Sequence, residues 1–243
     1  MNRFYIEKLI VSGGGHKTTV IDFKPGLNFI LGPSNTGKSL IMDCIDYVFG
    51  FTPRKNRPSK IVDNNYGYEC IALHLITGKG TVILERKIGD SKITVSGTAP
   101  DVDHGSYSVS HNAKKNINAV YLHLLGIDEQ HLVRSAEKGS KTQELTWRSM
   151  LHLFFIRQGD VARESSSLLS PGSIGSTASA AVLLYLLTGQ DANNLEASED
   201  PKISEAKKKA LVGYIQERIN SLCARREKLE NMLSSANVTD PRT

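Results

Sequence analysis

The sequence of 243 residues predicts an α/β fold that combines an antiparallel β subdomain with a long C-terminal helix. Three observations predict it. Over residues 27–49 a short apolar run leads into a glycine-bounded loop and then into a helical pattern. Over residues 70–88 two β-rich runs flank a Gly-Lys-Gly turn, as in a hairpin. Residues 202–233 are rich in charged side chains, and their apolar residues recur at heptad spacing.

Three strands are expected before the glycine-bounded loop. Residues 3–12 alternate polar and apolar side chains and predict the first strand. A run of glycines, residues 13–15, forms a turn, and residues 18–23 predict the second strand. Leu27–Leu31 has the length and branching of a buried strand. The chain therefore enters the loop from a strand and leaves it as a helix.

The loop, residues 32–39, has the spacing G-x-x-x-x-G-K-S of a phosphate-binding P-loop. Its glycines permit backbone angles and close approaches that a Cβ atom would block. The loop N–H groups and the helix N-terminus can then face phosphate oxygens. Lys38 is expected to reach the β- and γ-phosphates, and the Ser39 hydroxyl to ligate Mg²⁺. The alternative is a glycine-rich turn with an incidental lysine.

The loop therefore predicts Mg²⁺ and a nucleoside triphosphate as cofactors, and the family resemblance given below implies that the nucleotide is ATP. The predicted nucleotide-binding residues are Gly32, Pro33, Ser34, Asn35, Thr36, Gly37, Lys38, Ser39 and Leu40. Asn35 tolerates left-handed backbone angles better than most residues, so the loop is expected to form although its sequence is unusual.

The rest of the chain is assigned from periodicity and from glycine and proline breaks. Further helices are predicted at 118–125, 143–155 (running into a strand) and 177–188, a third antiparallel strand at 92–95, and loops at 51–66, 97–112 and 165–176.

The C-terminal segment carries apolar residues at alternating a and d heptad positions, and Arg226 interrupts one of them. These positions are Val212, Ile215, Ile219, Leu222, Leu229 and Leu233. Just over three heptads predict a coiled coil, and an ordinary amphipathic surface helix is the alternative. The expected domains are a head lobe over 1–195, a coiled-coil helix over 202–234 and a disordered tail over 235–243.

Composition sets the class of protein. Hydrophobic residues make up 40% and charged residues 23%, which is typical of a globular chain. No apolar run approaches the ~20 residues of a membrane helix. The three cysteines form no C-x-x-C pair, and no export signal is evident, so we expect a cytoplasmic protein without a membrane association.

The net charge of +5 is compatible with nucleic acid binding. Residues 53–60 carry four basic side chains and no acidic one, and residues 202–228 carry eight basic and three acidic ones. These segments are either solvated faces or contacts with a phosphate backbone.

The chain resembles the N-terminal half of the head of SMC/SbcC-type ATPases, which are ABC-class P-loop ATPases. The resemblance lies in the order of the strands, the P-loop, the hairpin, the Gln-Gly pair and the C-terminal heptads. The resemblance implies a P-loop NTPase lobe with an antiparallel β subdomain, followed by a C-terminal coiled-coil-like helix. It implies catalytic roles for Lys38 and Gln158, and metal contacts by Ser39 and Gln158. Gln158, within IRQGD, is similar to the glutamine that contacts Mg²⁺ and the attacking water; an ordinary surface glutamine is the alternative. Lys17 is at a place where family members often have a basic residue facing the nucleotide.

The sequence departs from that family in its second half. It contains no run of four apolar residues followed by Asp-Glu, which is the family's Walker B pattern. The Ser-Gly-Gly of the family's signature motif occurs only near the start of the sequence. Phosphoryl transfer needs several catalytic groups at once. The sequence therefore supports the prediction of ATP binding better than the prediction of ATP hydrolysis. The resemblance implies a second head or a missing C-terminal lobe, as a homodimer or with a different partner, and action on DNA. The alternatives are a nucleotide-sensing interaction module and another P-loop enzyme, although no N-K-x-D guanine motif is present.

Overall fold

A computed structural model describes most of the chain, which divides into two compact units. The first comprises Met1–His131 and Glu144–Ser170, and the second Leu132–Gln143 and Pro171–Thr243. The described residues are 4–53, 61, 67–136, 141–161, 166, 168–169, 175–192 and 201–236. The domain boundaries expected near 195 and 202 stay a prediction. Most of the predicted loops at 51–66 and 165–176, and most of the predicted tail, lie outside the described residues.

The first unit is built on a six-stranded sheet in the order β2-β1-β3-β4-β5-β6, with every neighbouring pair antiparallel. The strands are β1 (Phe4–Ser12), β2 (Thr19–Asp22), β3 (Cys70–Thr77), β4 (Gly80–Lys87), β5 (Lys92–Gly97) and β6 (Gly105–Ser108). The four strands predicted over 3–12, 18–23 and 70–88, and the third antiparallel strand at 92–95, are confirmed.

One face of the sheet forms the core, because apolar side chains alternate along each strand. Leu9 on β1 pairs with Leu73 on β3, which pairs in turn with Leu84 on β4. All three are fully buried. The prediction of a continuous loop over 97–112 is wrong, since β6 adds an edge strand there. Its four residues, GSYS, bury only Tyr107, so the sequence gives little hydrophobic signal.

Helix α1 (Lys38–Val48) packs on this sheet and is held most firmly at its C-terminal end. Arg86, buried on β4, donates to the carbonyl oxygens of Tyr47 at 2.6 Å and Phe51 at 2.7 Å. It also donates to the Asp90 carbonyl oxygen and lies 3.8 Å from the centre of the Tyr47 ring. A buried cation therefore satisfies carbonyl groups at the negative end of the helix dipole.

Two further helices cover the same end of α1. Helix α2 (Ile117–Leu124) places the Tyr121 hydroxyl 2.6 Å from the Val48 carbonyl oxygen, to which it donates. Helix α3 (Trp147–Phe154) begins with a capping box formed by Thr146 and Ser149. The predicted helix at 143–155 is confirmed over α3, but no strand follows it: residues 155–157 are irregular. Helix α4 (Gln158–Val161) is a single turn.

The strand predicted at Leu27–Leu31 is wrong. These residues lie outside the sheet, and Leu27, Phe29 and Leu31 are 81, 75 and 87% exposed. A strand is stable only where its backbone groups pair with a neighbour, and the described residues offer this segment no partner strand. The apolar run therefore reaches the P-loop as an exposed, irregular segment, which we call the exposed arm.

The second unit contains strands β7 (Leu132–Arg134) and β8 (Thr142–Glu144, at its boundary) and helices α5 (Ser176–Thr188) and α6 (Pro201–Ala236). Helix α5 packs against β7 and ends at Gly189 in a left-handed conformation, as predicted. The long C-terminal helix is confirmed, and its described side chains are exposed. Its pairing in a coiled coil stays a prediction. Among the described residues, no helix is both long enough and apolar enough to cross a membrane.

Candidate functional site: a phosphate-binding loop

The loop between the exposed arm and α1 has the backbone angles that its sequence predicts. Asn35 has φ 63° and Gly37 has φ 85°, both in the left-handed region. At Gly32, an added Cβ atom would lie 2.9 Å from the Thr36 hydroxyl oxygen. Glycine is therefore favoured at position 37 by the backbone conformation, whereas a Cβ atom at position 32 would displace the Thr36 hydroxyl.

Helix α1 begins at the end of the loop and presents its N-terminal donors outward. The Ile41 N–H donates to the Gly37 carbonyl oxygen at 3.1 Å, as the first bond of the helix. The N–H groups of Lys38, Ser39 and Leu40 precede that bond and have no acceptor within the helix. The Ser39 side chain is exposed beside them. Three N–H donors and a hydroxyl thus converge where the helix dipole is positive.

Lys38 folds back over the loop. Its ammonium group donates to the Gly32 carbonyl oxygen at 2.6 Å, to the Pro33 carbonyl oxygen and to the Thr36 hydroxyl at 3.3 Å. The charge is thereby held at the centre of the loop. An anionic phosphate oxygen could replace these neutral acceptors and would bind the ammonium more strongly, because both partners would then be charged.

Gln158 lies at the start of α4, where its side chain is exposed. The residue before it, Arg157, binds two carboxylates on α1. Its Nη1 lies 2.7 Å from an oxygen of Asp43, and its Nη2 lies 2.7 Å from an oxygen of Asp46. Arg148 on α3 pairs with the other oxygen of Asp46. The segment that carries Gln158 is therefore tied to the P-loop helix.

The cluster is balanced in charge, with two arginines facing two aspartates. Asp46 is 2% exposed, and a buried carboxylate is stable only when it is paired. Partial burial works to lower the pKa of Arg157, but the hydrogen bonds to Asp46 and Asp43 outweigh it, and the pKa is raised. Arg157 therefore stays charged at neutral pH.

An apolar cavity of about 190 Å³ lies between the N-terminal half of α1 and the sheet. Thr36, Gly37 and Leu40 line it on the loop side, and Leu9 and Ile71 line it on the sheet side. Cys44 also lines it, and burial raises the pKa of that thiol to about 12, so it stays neutral. Helix α1 is thus packed less closely at the P-loop end than at its C-terminal end.

A family model described as an AAA domain matches residues 12–237, nearly the whole chain. The chain belongs to the AAA-domain family. Membership indicates a nucleotide-binding P-loop ATPase in general terms. A search of curated proteins finds no match.

The AAA-domain assignment agrees with the chemistry of the loop. Three helix N-terminal donors, a lysine ammonium and an exposed serine hydroxyl fit a triphosphate with Mg²⁺, as P-loop ATPases require. The individual roles of residues 32–40 and of Gln158 stay predictions. Lys17 is exposed on the loop between β1 and β2, and its role also stays a prediction.

Four residues of the charge cluster that packs on α1 were not singled out from the sequence: Asp43, Asp46, Arg148 and Arg157. A signal for two of them was present, because Asp43 and Asp46 follow Ser39 by four and seven residues. That spacing places all three on one face of a helix. Nothing in the sequence pairs these aspartates with Arg148 and Arg157, which are more than 100 positions away.

Proposed function

We propose that this AAA-domain protein is the Mg-ATP-binding head of an SMC/SbcC-like ATPase that acts on DNA in repair, chromosome maintenance or defence. The conformation of residues 32–39 carries the proposal. A left-handed Gly37 opens the N-terminus of α1, and Lys38 holds a positive charge over the loop. In this proposal the loop N–H groups and Lys38 bind the phosphates, and Ser39 and Gln158 hold the metal ion. The bound Mg²⁺ would neutralise charge that develops on the phosphate oxygens.

Hydrolysis, in this proposal, needs a second lobe with the acidic pair and the signature motif that the 243 residues lack. The exposed arm supports such a partner. Leu27, Phe29 and Leu31 are apolar and solvent-exposed directly before the P-loop. Exposed apolar runs of this kind mark interaction sites. The partner lobe, from a second head or from another chain, would pair with the arm and complete a sheet behind the loop.

DNA is the proposed substrate because of the charge on α6. Lys208, Lys209, Arg218 and Arg225 are exposed along it. Phosphate-backbone contacts by Lys and Arg provide most sequence-independent affinity for DNA. A cytoplasmic location belongs to the same proposal, since Cys44, Cys70 and Cys223 are all free thiols.

The deciding experiment measures ATP binding and turnover by the full chain, with Lys38→Ala beside it. Loss of the ammonium removes a charge-assisted bond to phosphate of about 1.5–3 kcal/mol, so ATP should bind about 10- to 100-fold more weakly. Lys92→Ala, at an exposed lysine on β5, is the matched control and should bind as the wild type does.

Turnover separates the remaining possibilities. Binding without turnover, restored by a partner lobe, supports the proposal. Turnover by the chain alone that Lys38→Ala abolishes would show that this chain contains its own catalytic carboxylate, and would refute the requirement for a second lobe. Equal binding by the wild type and Lys38→Ala would overturn the P-loop assignment.

A nucleotide-sensing module without catalysis is the second candidate. The 243 residues contain no apolar run that ends in Asp-Glu, and this favours a module without catalysis. In that case ATP changes the affinity for a protein partner, and no turnover appears even when the partner is present.

A further inference from the structure

The acidic residues on α1 form a stripe directly below the predicted metal ligand. Ser39, Asp43 and Asp46 are spaced i, i+4 and i+7, so they lie on one face of the helix. With a rise of about 1.5 Å per residue, Asp43 is about 6 Å along the helix axis from Ser39. Asp43 is therefore about one helical turn from Ser39 along α1.

Arg157 spans this stripe with both ends of its guanidinium group. Its two terminal nitrogens each lie 2.7 Å from a carboxylate oxygen, one on Asp43 and one on Asp46. The planar guanidinium fixes the direction of both bonds, which a single lysine ammonium does not do. Because Arg157 and Gln158 are consecutive, their Cα atoms are about 3.8 Å apart. The clamp therefore fixes the backbone of Gln158 relative to Ser39.

We propose that Arg157 is a positioning residue, which holds the Gln158 segment against α1 through Asp43 and Asp46 so that Gln158 and Ser39 face one metal ion. The inference rests on the proposed Mg-ATP site. Arg157 itself does not touch the metal or the nucleotide. Its role resembles that of groups that orient a metal ligand from behind, whose loss lowers metal affinity by about 10- to 100-fold.

Arg148 provides a matched control within the same cluster. It also pairs with Asp46 and is as exposed as Arg157, but it lies on α3 and is ten residues from Gln158. A purely structural cluster predicts the same consequence for the loss of either arginine. A positioning role predicts a change in metal dependence for Arg157 alone.

The test compares ATP affinity of the full chain in Mg²⁺ with its affinity in EDTA, by titration calorimetry. The ratio of the two dissociation constants measures the benefit of the metal and requires no turnover. Arg157→Ala should reduce this ratio about tenfold. Gln158→Ala should reduce it similarly, and the double variant should be no worse than either single one, since the two residues act in series. Arg148→Ala should keep the wild-type ratio, although it lowers the melting temperature.

Arg157→Lys provides a second test in case Arg157→Ala does not fold. It retains the charge but cannot bridge both carboxylates, so its ratio should also fall. A wild-type ratio in Arg157→Ala or Arg157→Lys would overturn the inference, and so would an equal loss in Arg148→Ala. A wild-type ratio in Gln158→Ala would overturn it as well, because there would be no metal contact to position. Wild-type ratios in the Arg157 variants leave the proposed function standing, whereas a wild-type ratio in Gln158→Ala also removes Gln158 from the proposed metal site. Binding of ATP by the P-loop itself is tested separately, by Lys38→Ala.

Discussion

At the scale of single residues, Gly32 and Gly37 serve the P-loop for different physical reasons. An added Cβ atom at Gly37 meets nothing within 4 Å, but φ there is 85°. At Gly32 the added atom would press on the Thr36 hydroxyl, at 2.9 Å, although φ is ordinary. Substitution at Gly37 thus tests backbone conformation without a steric clash.

Gly37→Ala should lower the free energy of unfolding by about 1–2 kcal/mol, which is the cost of a left-handed conformation for a residue with a Cβ atom. Urea denaturation measures it. Gly78→Ala is the matched control, since it has neither a positive φ nor a neighbour within 4 Å and should change stability by no more than about 0.5 kcal/mol. Equal stability of the two variants would contradict the described loop conformation.

At the scale of elements, α1 is joined to the fold mainly at its C-terminal end. Arg86, Tyr121 and the Phe49 ring all act there: Arg86 and Tyr121 donate to carbonyl oxygens, and Phe49 packs edge-on against Tyr121. The opposite end borders a cavity. The position of the P-loop therefore depends on contacts about three helical turns away.

Arg86→Met should lower the free energy of unfolding by about 3 kcal/mol or more. The change preserves an apolar stem but removes charged donors from the carbonyl groups of Tyr47, Phe51 and Asp90, and each such bond contributes about 1.5–3 kcal/mol. Arg226→Met is the control, because Arg226 is exposed on α6 and forms an i, i+4 ion pair with Glu230 that contributes about 0.5 kcal/mol or less. A loss no larger than the control's would show that Arg86 does not anchor α1.

At the scale of the whole molecule, the sequence predicted the features that depend on residues close together in the chain. The strands β1 to β5, helix α1 and the left-handed Asn35 follow from alternation, glycine spacing and intrinsic backbone preference. The exposure of Leu27–Leu31 could not be predicted in that way, because the same apolar run forms a strand only if another strand pairs with it. The clamp on Asp43 and Asp46 likewise depends on which distant arginine the fold brings near.

The net charge of +5 belongs to this scale as well, and it leads to a prediction about DNA. Replacement of Lys208 and Lys209 by Glu on α6 should weaken DNA binding and reduce its dependence on salt concentration. The slope of log K against log salt becomes shallower by about 0.9 for each phosphate group that the protein no longer neutralises. Fluorescence anisotropy over a KCl series measures both quantities.

The control makes the same charge change elsewhere, at the exposed lysines Lys92 and Lys114. If both double variants bind DNA with equally reduced affinity, net charge alone governs the interaction and α6 is not the contact surface. If the wild type binds no DNA at low salt, the proposal of DNA as substrate is wrong.

The exposed arm, Leu27–Leu31, is covalently continuous with the first residue of the P-loop, Gly32. A partner that binds the arm and favours the loop conformation that ATP binds would raise the affinity for ATP, and ATP would do the same for the partner. Thermodynamic linkage requires the two effects to be equal: each ligand tightens the other's binding by the same factor. Because the arm and the loop share one junction, nucleotide binding would promote partner binding, and partner binding would promote nucleotide binding to the same extent.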